Sequence, residues 1–287
     1  MPTTCLTPEL KNDLTTGDII APESSQGILT GDCIPAQVIQ DDFGLPLNYA
    51  RIGYENILTS STATVDPDES LNVLTPSTYD KWRPDADATL TANGDESVCN
   101  YVGIAAHNLG TSGATVVIST VLNGVQTVIF SGQYDNDRAK FIRFNDAPCD
   151  GVTVQVTGGA NVEIGVIFLG KELEMMRPLY AGHNPVYLSS TDKYSPQMSD
   201  GGQFLGKILI RQGYATQASF KHLTYEWYKE NFQPFVESSK SRPYFWAWNL
   251  LEHPDDIVYG WTNANITPSL MGIRNWLSVD FAIEAHA

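Results

Sequence analysis

From Tyr49 to Gly170, short apolar stretches alternate with turn residues at intervals too close for helices. This pattern predicts antiparallel strands over Asn56–Val65, Ala88–Leu90, Tyr101–Ala106, Thr115–Val121 and Gln126–Phe130. It continues through Lys140–Phe144, Val152–Val156 and Val162–Leu169. Asn123-Gly124 is the strongest hairpin signal, because both residues tolerate the positive φ that a tight two-residue turn requires. Gly158-Gly159 marks a second turn. With no helix between the strands, a sandwich or barrel is expected rather than a parallel α/β sheet.

The pattern changes after residue 170. Met175–Leu188 and Gln203–Ile210 read as extended, and then one amphipathic helix appears over Thr224–Ser238. Thr224 is placed to cap it, and Tyr228, Phe232, Phe235 and Val236 form a stripe at i, i+4, i+7 and i+8. Pro234 predicts a kink or an early end. Strands follow at Tyr244–Trp248, Ile257–Thr262 and Trp276–Ile283. The reading is therefore an extended arm over 1–48, a β-sandwich over 49–170 and an α+β unit over 171–287. The fold class is mainly β: an antiparallel sandwich, then an α+β domain with one prominent helix packed on a sheet.

Residues 1–48 carry seven acids against one base and scattered prolines with no period, which fits an arm wrapped on a neighbour or plain disorder. The whole chain has a formal charge of −16. A surface this acidic repels phosphate backbones, so no nucleic-acid partner is expected. The N-terminus has no basic start followed by an apolar run, and no apolar run is long enough to span a bilayer. Synthesis in a cytoplasm without membrane insertion is the expectation. Cys5, Cys33, Cys99 and Cys149 have neither CxxC spacing nor a nearby His, which argues for reduced thiols rather than zinc ligands.

The motifs of catalysis are weak. There is no Gly-x-Ser-x-Gly elbow, and Gly201-Gly202-Gln203-Phe204-Leu205-Gly206 leads into a strand rather than a phosphate-binding helix. The five His are dispersed. Asp66/Asp68, Asp85/Asp87, Asp135/Asp137 and Asp255/Asp256 pair carboxylates as a glycan hydrolase or a Ca²⁺ loop would, and equally as solvated turns do. No catalytic, cofactor-binding or metal-binding residue is assigned, and no enzyme is expected.

Two segments point to binding. In Tyr79-Asp80-Lys81-Trp82-Arg83-Pro84, Trp82 either packs inward or offers a sugar platform with Arg83 beside it. His107 and Asn108 end an apolar strand, where His107 is either a buried hydrogen-bonded group or a ligand contact. Near the C-terminus, Tyr244–Trp248 is apolar at every position, so both of its faces need cover. The helix bearing Phe235 supplies one face. Phe245, Trp246 and Trp248, with Phe235, thus mark a candidate assembly interface for the other.

Arg51 to Gly170 resembles the galactose-binding-like (discoidin-type) jelly roll. The matching pieces are Asn72–Pro84, Ala88-Thr-Leu90, Tyr101-Val-Gly-Ile-Ala-Ala-His107-Asn108-Leu-Gly110 and Gly165-Val-Ile-Phe-Leu-Gly170. Gly201–Gly206, the helix, Pro243-Tyr-Phe-Trp-Ala-Trp248 and Val258-Tyr-Gly-Trp261 resemble structural proteins of tailed-bacteriophage tails, of the minor tail and distal tail-tip type. These resemblances imply a virion tail-tip or baseplate component. It would be a homo-oligomer contacting other tail proteins, with a jelly roll facing a host surface glycan. The alternatives are a carbohydrate-binding protein and a glycan hydrolase using an acid pair.

Overall fold

The computed structural model describes residues 49–272 and 274–286, so the expected arm, with Cys5 and Cys33, lies outside the described residues. The strands are β1 (Arg51–Gly53), β2 (Leu58–Ala63), β3 (Ala88–Ala105), β4 (Thr115–Leu122) and β5 (Val125–Gln133). Next come β6 (Lys140–Thr157), β7 (Val166–Gly170), β8 (Leu173–Glu174), β9 (Lys193–Met198) and β10 (Phe204–Arg211). The last are β11 (Gly213–Thr224), β12 (Tyr244–Ala247), β13 (Ile257–Trp261), β14 (Pro268–Leu270) and β15 (Trp276–His286). The α-helices are α1 (Leu109–Ser112) and α2, a continuous helical stretch over 225–239, and 3-10 helices cover Pro67–Leu74 and Val186–Leu188. The fold class is as expected: mainly β, a sandwich-type antiparallel unit followed by an α+β unit.

The first sheet runs β2-β3-β6-β4-β5, with β7 on the same edge of β3 as β2 but at its far end, and every pairing is antiparallel. Strands expected separately at Ala88–Leu90 and Tyr101–Ala106 are the two ends of β3, and Lys140–Phe144 and Val152–Val156 are the two ends of β6. The polar middles read as turns, yet they pair with each other across register shifts between Asn93 and Ser97 and between Cys99 and Tyr101. Bulges bend a strand without ending it. Leu90 and Ile104, from opposite ends of β3, therefore share one core with Val116, Val154 and Ile167. Asn123 and Gly124 adopt φ of 51° and 79° and close the two-residue turn from β4 to β5.

The second sheet runs β11-β15-β13-β12-β1-β8, with β14 on β15. The residues of β1, assigned by sequence to the sandwich, pair instead with β12 and β8. Arg51 of β1 and Arg143 of β6 both ion-pair with the buried Glu172, linking the two sheets beside this join. Thr224 caps α2 by accepting from the Trp227 amide at 3.3 Å. Tyr228, Phe232, Phe235 and Val236 face the core. The helix continues through Pro234, because Pro234 opens a new α-helical segment directly after a π-helical turn over Tyr228–Phe232. There its missing N–H and its ring bulk disturb few bonds.

Both faces of β12 are covered within the chain, which corrects the assembly interface. Tyr244 and Trp246 pack with Phe232, Phe235, Phe220 and Phe281 under the helix. Phe245 points the other way, into a third core built with Tyr101, Phe141 and Phe168 of the first sheet and Tyr259 of β13. Phe245, Trp246 and Phe235 are fully buried, so they are core rather than free surface. Trp248 is half-buried and stacks on His253 at 4.8 Å. The sandwich itself supplies the cover that sequence reasoning sought in another subunit.

Candidate functional site

Three loops meet at one end of the first sheet. Trp82 forms a two-way bridge with Ile164, its amide donating to the Ile164 carbonyl at 2.8 Å and its carbonyl accepting from the Ile164 amide at 3.0 Å. The Gly165 amide donates to the Ala106 carbonyl at 3.1 Å. Asn108 knits the second loop to the third. Its Oδ1 accepts from the Glu163 amide at 2.7 Å, and its Nδ2 donates to the Asn161 carbonyl at 2.7 Å. Ala106 and Asn161 hold φ of 54° and 52°, sparsely occupied conformations on the two connected loops.

All four predicted binding residues lie in this cluster, but their roles differ. Trp82 is completely buried, and its Nε1 donates to the Val65 carbonyl at 3.0 Å, so the ring anchors the loop and is not a platform. His107 is buried, with Nδ1 accepting from the Leu109 amide at 3.2 Å. Burial, aided by the nearby Lys140 ammonium and partly opposed by Asp137, pushes its pKa down to about 4, so the ring is neutral near neutral pH. Asn108 spends its side chain on the loop backbone. Of the four, Arg83 faces solvent.

Glu163 and Tyr79 were not singled out by sequence. Glu163 accepts from Lys81 Nζ at 2.6 Å and from Arg83 Nε at 3.1 Å, and these two cations hold its carboxyl below the usual range. Tyr79 stands two residues before Lys81 and is 85% exposed. The sequence signal was there, an aromatic beside a cation in a Pro- and Asp-rich loop, but the larger Trp82 drew the assignment. Together the loops carry an exposed aromatic residue, Tyr79, two positions before the Lys81–Glu163–Arg83 triad begins. Such a surface can stack on the C–H face of a sugar ring and hydrogen-bond its hydroxyls.

In three of the four carboxylate pairs, at least one member makes structural bonds. Asp87 accepts from the Gly158 amide at 2.8 Å, and Asp137 accepts from the Thr111 amide at 2.9 Å and from its hydroxyl. Asp255 pairs with Lys140 at 3.1 Å and Asp256 with Arg138 at 3.4 Å. Among the described residues, no group of three or more His, Cys, Asp or Glu is arranged to hold a metal ion. Cys99 and Cys149 are free and buried. Among the described residues, no helix is long and apolar enough to cross a membrane.

No protein-family model matches this chain, and no curated protein matches it. Solved structures similar to part of it include a pectin-binding carbohydrate-binding module, at 12% identity over 40% of this chain and 91% of that one, with a TM-score of 0.35. The family 32 carbohydrate-binding module of C. perfringens NanJ, solved with galactose, is 16% identical over 42% of this chain and 98% of that one, TM-score 0.34. The family 32 module of AlyQ, solved with 4,5-unsaturated mannuronic acid, is 16% identical over 39% and 94%, TM-score 0.34. Likeness at this level is silent on what the chain binds.

Proposed function

We propose that this chain is a non-catalytic carbohydrate-binding protein whose glycan site is the loop cluster around Tyr79, Lys81, Arg83 and Glu163. The observation that carries the reading is an 85% exposed Tyr79 two residues before Lys81, which joins Arg83 and Glu163 in a partly exposed ion-pair triad on loops pinned by Trp82 and Asn108. The aromatic ring supplies apolar contact, and the triad supplies donors and acceptors already held in place, which lowers the ordering cost of binding. The NanJ and AlyQ modules named above were solved with a sugar bound, and a glycan is the ligand class proposed for this site too. A glycan array followed by titration calorimetry tests it. Binding by the wild type, lost in Tyr79→Ala and weakened in Glu163→Gln with unchanged melting, is expected. A wild type that binds no glycan, or a Tyr79→Ala variant that binds as well as the parent, overturns it.

A second reading is a structural subunit of a larger assembly, with a virion tail as the setting that the resemblance implies. The apolar β9–β10 hairpin favours it. In that setting glycan binding at the sandwich end becomes host attachment.

A further inference from the structure

Strands β9 and β10 form a two-stranded sheet of their own, attached to the second unit at its base. The base is closed by the Thr191 amide donating to the Gly213 carbonyl at 2.7 Å and by the Ser190–Tyr214 bridge. The register pairs Phe204 with Met198, Lys207 with Pro196 and Leu209 with Tyr194, so these six side chains share one face. Ile208, opposite Ser195, lies on the other face. Met198, Phe204, Leu205, Ile208 and Ile210 are each at least 59% exposed.

This is more apolar surface than a free hairpin needs. A lone two-stranded hairpin is marginal in water, and a bare patch on the order of several hundred Å² marks an interaction site. Its charge is also opposite to that of the rest of the chain. Residues 193–211 carry Lys193, Lys207 and Arg211 against Asp200 alone, within a chain of net charge −16.

We propose that the β9–β10 hairpin is an assembly arm that seats on a second copy of this chain, apolar residues buried and cations facing the copy's acidic surface. The proposal rests on the assembly reading and names its surface. Charge favours the contact of hairpin with body over hairpin with hairpin, since two such hairpins repel. A contact between unlike surfaces propagates head to tail and closes into a ring when the rotation permits. The tip residues Gly201 and Gly202 and the exposed backbone edges of both strands leave room for pairing as well as packing.

The test is the mass of the full chain in solution, by light scattering across micromolar concentrations and at two salt concentrations. The expected result is an oligomer that weakens severalfold as salt rises, because exposed charge pairs are screened. Phe204→Asp and Ile208→Asp, one on each face, are expected to weaken association at least tenfold and leave melting unchanged. A second variant guards against misfolding: replacing residues 193–211 with a short Gly-Gly joint, which the close approach of Thr191 and Gly213 allows. That variant is expected to be a folded monomer. An oligomer that persists without the hairpin overturns this proposal and leaves the assembly reading standing. A monomeric wild type overturns both, whether the hairpin is then covered by residues 1–48 of its own chain or by a different protein.

Discussion

Phe245 is the side chain on which the two halves of this molecule meet, and its removal is expected to uncouple them. The ring is fully buried, 5.4 Å from Phe168, 6.4 Å from Phe141 and 5.0 Å from Tyr259, centre to centre. Gly103 of β3 lies against it so closely that a methyl there would come within 2.5 Å of the ring. Truncating a buried Phe to Ala costs ~3–5 kcal/mol, the sum of lost transfer energy and the cavity left behind. Adding the methyl at Gly103 overpacks the same place by about 1–3 kcal/mol. The two changes are complementary, since the new methyl enters the space the ring vacated. Gly103→Ala/Phe245→Ala is therefore expected to be less destabilised than the sum of the single variants, by roughly 1–3 kcal/mol. Urea unfolding followed by tryptophan fluorescence measures all four corners of the cycle. Fluorescence draws on both halves, with Trp82 in the first core and the other five tryptophans, Trp246 among them, in the second half. Phe245→Ala is expected to split one transition into two. Strict additivity, or a Phe245→Ala cost below about 1 kcal/mol with a single transition, refutes the shared core.

Trp82→Ala should lower stability by ~3–5 kcal/mol and Tyr79→Ala by less than about 0.5, measured by chemical denaturation, because one ring is interior and the other is solvated. The Cys99 thiol, pushed up to about 12 by burial and the neighbouring Cys149, should react with a thiol probe at pH 8 only upon unfolding; fast labelling at Cys99 itself in the native protein, located by peptide mapping apart from Cys5 and Cys33, refutes this. His107 has a folded pKa of about 4, below an unfolded value near 6.5. The folded state therefore binds fewer protons between these values, and the stability contributed is complete above pH 6.5 and lost as pH falls toward 4. The loss is on the order of 3 kcal/mol. His107→Gln should flatten that acid limb relative to the parent in denaturation series from pH 7.5 to 4.5, and parallel curves would exclude His107 as its source.

The periodicity of this chain determined its class and several of its parts. Alternating apolar runs with an Asn123-Gly124 turn dictate paired antiparallel strands, because only the turn residues accept φ near 51° and 79°. The stripe from Tyr228 to Val236 determined which side of the helix is buried, since side-chain spacing on a helix is set locally. Strand β11 escaped notice because small or polar residues, Thr216 and Ala218, share its buried face with Phe220 and blunt the contrast that periodicity needs. The unbroken lengths of β3 and β6 escaped for a related reason: a polar middle looks like a turn until a partner strand satisfies its backbone. At the candidate site, the sequence reading offered Trp82 as the platform ring, but the structure buries Trp82 and exposes Tyr79. Whether Trp82 or Tyr79 faces water depends on Val65 and Ile164, which are distant along the chain. Likewise Tyr244–Trp248 had to be covered on both faces by its composition alone, but what covers the Phe245 face was decided by tertiary packing. Local sequence sets how much apolar surface a strand must bury, and long-range contacts choose the partner that buries it.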